Sequence, residues 1–85
     1  MEWKSMKLPV GAKLFQVHNF TFMLAGNTYL LEIDEYADGT FAGHGEHSTD
    51  KSRVIESVSG KSVKSCLDSL AQRVASRETT SSSKS

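Results

Sequence analysis

Tyr29, Leu31 and Ile33 take alternate positions in "TYLLEIDEY", and Glu32 and Asp34 fall between them. Successive side chains leave a strand on opposite faces, so this period of two predicts a half-buried strand over 28–36. "KLFQVHNFTFML" before it is dense in aromatic and β-branched residues and predicts a strand over 14–24. Its apolar positions change parity: Phe15 and Val17 share one, Phe20, Phe22 and Leu24 the other. A regular strand keeps its parity, which predicts a bulge or bend at His18–Asn19. "AGNT" joins the two, with Gly26-Asn27 as the expected two-residue turn, and "ADGT" supplies Asp38-Gly39 as a second. "TFAGHGEH" predicts a third strand over 40–47, loosened by Gly43 and Gly45. "RVIESV" predicts a short fourth over 53–58.

After Gly60 the period changes. Val63, Leu67, Leu70, Ala71 and Val74, with Cys66 beside them, recur at three and four, which predicts a helix over 62–76. Ser62 is the expected N-cap, its hydroxyl free to accept from the open N–H groups of the first turn. A lone helix with an apolar stripe must cover one face of a sheet. The expected class is therefore α+β: a three- to four-stranded antiparallel meander with one C-terminal helix packed on one face. Residues 1–12 read as an arm, 13–77 as a single sheet-plus-helix domain, and 78–85 ("ETTSSSKS") as a disordered tail without apolar anchors.

Composition narrows the functional classes. A chain of 85 residues buries only about 60–65% of its unfolded surface. Ten basic side chains balance ten acidic ones, so no basic stripe for phosphate backbones is expected. The single cysteine gives no disulfide framework, and no apolar run is long enough for a signal peptide or a membrane span. The expectation is a soluble cytoplasmic protein.

The candidate chemistry is sparse. His44, Glu46 and His47 lie close together in "GHGEH". Tetrahedral zinc needs three or four ligands at fixed distances, and the spacing of a zinc module is absent, so these read as a polar loop and no metal or other cofactor is expected. Cys66, on the helical stripe, reads as a small buried hydrophobe rather than a nucleophile. Glu32, Asp34, Glu35 and Asp38 form an acidic cluster, read as a solvated sheet face or a surface for a basic partner. The aromatic residues of the strands lack the basic surroundings of a base-stacking platform and read as core.

"GKSVKSCLDSL" and "YLLEIDEYADGTFAG" together resemble HicB-type antitoxins, over about residues 29–74. The matching positions are Gly60, Ser62, Cys66, Leu67 and Leu70 at the helix entry, and the acidic turn with Gly39 before Phe41 in the hairpin. The resemblance implies the sheet-plus-helix fold and a module that masks a protein partner. "GHGEHSTDKS" stands where that family has a proline-containing segment, and the Ser-rich stretch after the helix gives no expectation of that family's DNA-binding extension. The functional expectation is a small non-enzymatic binding module, with Glu32, Asp34, Glu35, Arg53 and Glu56 as the candidate contact residues. Its partner would be a basic protein, or a second copy of the chain docked on a strand edge. The alternatives are nucleic-acid binding through Lys4, Lys7, Lys13 and the tail lysine, and a metal or thiol enzyme.

Overall fold

The computed structural model describes residues 2–83, with side chains through Glu78. Four strands, β1 (Phe15–Leu24), β2 (Asn27–Tyr36), β3 (Phe41–His47) and β4 (Val54–Gly60), precede a single long helix, α1 (Val63–Ser83). The sheet order is β1-β2-β3-β4 and every pair is antiparallel, so the expected meander with one covering helix is the fold. No helix among the described residues is long and apolar enough to cross a membrane.

The core lies between α1 and one face of the sheet. Cys66, Leu70 and Val74 of the helix pack with Tyr29, Leu31 and Ile33 of β2 and Ile55 of β4. Phe22, Leu24, Phe41, Val58, Val63 and Leu67 close the rim. The helix can come this close because β3 is bare beneath it. A Cβ at Gly43 would stand 3.0 Å from Leu70 Cδ1, and one at Gly45 would stand 2.6 Å from Leu31 Cδ2. Ser62 caps the helix as expected: its Oγ accepts from Ser65 N at 3.0 Å, and Ser65 Oγ accepts from Ser62 N at 3.3 Å.

Four local expectations are corrected. First, β1 has no bulge at His18–Asn19 and pairs with β2 in unbroken register. Its two apolar parities are real, because Phe15 and Val17 lie on the uncovered face while Phe22 and Leu24 lie under the helix. The irregularity falls instead between β3 and β4, around Gly43 and Gly45. There β4 spends two residues, Glu56 and Ser57, against His44 alone, so Ile55 and Val58 both reach the core.

Second, the first turn is Ala25-Gly26, not Gly26-Asn27. Both residues have positive φ, 53° and 80°, as a type I′ turn requires. The register that pairs Phe22 with Tyr29 outweighs the cost of the left-handed alanine. Third, the second hairpin has a three-residue loop. Tyr36 N donates to Thr40 O at 2.9 Å, Gly39 takes φ 92°, and Asp38 Oδ1 accepts from Thr40 N.

Fourth, α1 runs on to Ser83, through most of the segment expected to be disordered from 78; residues 84–85 lie outside the described residues. Glu78 explains the extension. It continues the buried series Cys66, Leu70, Val74 at a spacing of four and ties the helix to the sheet through a buried carboxylate.

The arm is anchored as well. A 3-10 turn, Trp3–Ser5, brings Lys4 onto Glu35, whose other oxygen meets His18 Nε2 at 2.9 Å. Lys4 Nζ also lies 5.8 Å from the centre of the Phe41 ring. These hydrogen bonds, first with Lys4 and then with His18, hold the Glu35 carboxyl below its ordinary value of 4.5. A carboxylate with a depressed folded pKa contributes stability above its unfolded pKa and loses it as pH falls through the folded one. Acidification from about pH 4.5 downward therefore releases the arm. The fluorescence of Trp3, the sole tryptophan, should change over that window while far-UV ellipticity holds, and Glu35→Gln should abolish the transition.

Candidate functional site: the uncovered sheet face

The face away from α1 carries Phe15, Val17, Met23, Leu30 and Val54, each between 41 and 72% exposed. Glu32, Asp34, His44 and Glu46 stand among them. Register accounts for this mixture. Glu32 is opposite Asn19 on one side and His44 on the other, Asp34 lies between Val17 and Ala42, and Leu30 lies between Thr21 and Glu46. Leu30, Glu32, His44, Glu46, Val54 and Ser57 border a hollow of about 570 Å³. The expectation of an acidic face is thus half right: its centre is acidic and its two ends carry exposed apolar side chains.

The acids differ in their partners. Glu46 is paired with Lys51 at 2.7 Å in the open. Glu32 Oε2 is 3.5 Å from His44 Nε2. A hydrogen bond with Asp34, then burial, then the charge of Asp34 push the Glu32 pKa up, and His44 offsets them in part. Asp34 is only 9% exposed although no helix covers it, and one of its oxygens, Oδ1, has no hydrogen-bond partner among the described residues. A buried acceptor left without a donor is costly and rare in native structures.

The other expected contact residues are engaged elsewhere. Glu35 binds Lys4 and His18 on the helix side. Arg53 donates to Tyr29 Oη at 2.8 Å and to Glu78 Oε2 at 3.1 Å. Glu56, displaced by the bulge, meets Arg73 of α1 at 3.1 Å. Of the five, only Glu32 and Asp34 lie on the uncovered face.

The histidine triplet is also divided. His44 and Glu46 point to the uncovered face, while His47 is buried on the other. Its Nδ1 accepts from Asp50 N at 3.0 Å, its Nε2 donates to Asn27 Oδ1 at 2.9 Å, and its ring meets Tyr29 edge-on at 5.2 Å. With both nitrogens occupied, His47 is a structural residue. Cys66 is buried and desolvation raises its thiol pKa, which disfavours the reactive thiolate.

Sequence reasoning missed the apolar ends of the face and the approach of His44 to the two acids. Leu30, on the parity of Glu32 and Asp34, was the available signal for the first. No pattern confined to one strand could carry the second, since His44 comes from the next strand. No protein-family pattern matches the chain, and neither a curated protein nor a solved structure is detectably similar to it.

Proposed function

We propose that this protein is a small non-enzymatic binding module that docks a basic protein partner on its uncovered sheet face. The observation that carries the reading is exposed Phe15 and Val17 at one end of the face and Met23, Leu30 and Val54 at the other, with the acids between them. The two apolar ends supply area to bury, and the acids select what is placed between them. The strand positions facing this side include Glu32, Asp34 and Glu46 but no lysine or arginine. A second copy packed face to face would set these acids against their own images, which favours a partner of opposite sign. The strand edge expected to dimerise, β4, is interrupted by its bulge, a common device against edge pairing. The resemblance to HicB-type modules supports the same reading, a protein that acts by masking a partner.

A photo-reactive amino acid at Met23 should cross-link the partner in cells, and the purified pair should then bind. Leu30→Glu, a change at an exposed position that spares the core, should weaken that binding by at least about tenfold, or 1.4 kcal/mol. Raised salt should slow association. Binding indifferent to Leu30→Glu would overturn the reading. So would a homodimer broken by the same change, or tight salt-sensitive binding of RNA or DNA in place of protein.

A further inference from the structure

Glu32, Asp34 and His44 meet at the centre of the uncovered face. The register sets Glu32 directly opposite His44, with Asp34 two residues along β2 on the same side. One oxygen or nitrogen from each lies within 4.8 Å of the other two. Tetrahedral coordination at about 2.0–2.2 Å separates neighbouring ligand atoms by about 3.4 Å. His44 Nε2 and Glu32 Oε2, 3.5 Å apart, already have this spacing.

Acidic clusters on sheet faces are usually satisfied by water and nearby cations, and Glu46 with Lys51 is such a case. Asp34 is different. It belongs to the group that converges with Glu32 and His44, it is 9% exposed, and its Oδ1 is buried with no hydrogen-bond partner among the described residues. Protonated His44 would answer Glu32 but leaves Asp34 Oδ1 without a donor. A cation between the three side chains satisfies both acids at once.

We infer that Glu32, Asp34 and His44 form a binding site for a divalent first-row transition ion of the zinc class. The imidazole disfavours calcium and magnesium, which prefer all-oxygen sets, and two carboxylates with one imidazole suit zinc or its neighbours. Three protein ligands leave coordination open to water on the side of the hollow. His44, half exposed, gives the ion a path from solvent. The inference rests on these three side chains and stands whether or not the face docks a protein.

Calorimetric titration of zinc chloride into the tag-free full chain, stripped with chelator, tests it. One equivalent should bind, and Asp34→Asn and His44→Ala should each weaken binding by at least about tenfold. His18→Ala should leave it unchanged. The His44 ring resonances should shift on saturation while those of His47 stay in place. His44 is an exposed position, so His44→Ala tests the site even if Asp34→Asn fails to fold. Absence of saturable binding, equal affinity in the His44→Ala variant, or loss in His18→Ala instead would overturn the site. Partner binding by the stripped protein, with no zinc bound at any concentration, would remove this inference and leave the docking reading intact.

Discussion

Leu70→Ala lowers the unfolding free energy by about 2–5 kcal/mol, the range for removing a fully buried leucine. Leu70 is 0% exposed and sits at the middle of the helical stripe. Its side chain reaches to the bare backbone of β3, where Gly43 offers nothing that could swing into the space left behind. Pairing on both sides holds β3 in place, so the cavity collapses poorly and its full cost is felt. Domains of this size hold roughly 5–15 kcal/mol in reserve, so the variant should melt at far lower temperature. Urea denaturation followed by far-UV ellipticity measures the loss. A value near zero would mean that α1 does not cap this sheet.

Glu78→Ala costs about 1.5–3 kcal/mol, the range for hydrogen bonds to a charged group. Glu78 Oε2 accepts from Tyr29 Oη at 2.5 Å, Asn27 Nδ2 at 3.0 Å and Arg53 Nη2 at 3.1 Å. Removing the carboxylate leaves the buried Tyr29 hydroxyl without its acceptor and Arg53 without its counter-charge. Burial and the bond to Glu78 raise the Tyr29 pKa, so the phenol remains a donor throughout the physiological range. The change also cuts the tie that holds the last helical turns to the sheet. Hydrogen exchange should therefore accelerate from 75 to 83 before the centre of the helix is affected. Uniform protection after the substitution would show that those turns are held by something other than Glu78.

The zinc and docking readings share a surface but make opposite demands on Asp34. A bound ion neutralises the acidic centre and leaves the apolar ends of the face to govern contact. Without the ion, the centre attracts a basic side chain. Partner affinity measured with and without zinc therefore reports which of the two occupies Asp34.

Much of the architecture was legible in the chain because it is written locally. The alternation of Tyr29, Leu31 and Ile33 marks a strand and its inner face without reference to any other segment. The spacing of Cys66, Leu70 and Val74 marks a helix and its buried stripe in the same way. The helix end was not legible. Nothing in "ETTSSSKS" is apolar, and Glu78 is held only because Asn27, Tyr29 and Arg53, distant in sequence, converge on its carboxylate.

The candidate site depended on tertiary structure even more strictly. A two-residue loop at Asp38-Gly39 would have placed Glu32 opposite Gly45 and turned His44 toward the helix, because a slip of one residue exchanges the faces of a strand. The three-residue loop actually formed sets Glu32 opposite His44. Sequence alone determined that β2 carries two acids on its outer face. Pairing between strands decided that a histidine joins them, and burial decided that Asp34 Oδ1 is left without a donor among the described residues. Register and solvent exposure are properties of packed neighbours, and no single strand encodes them.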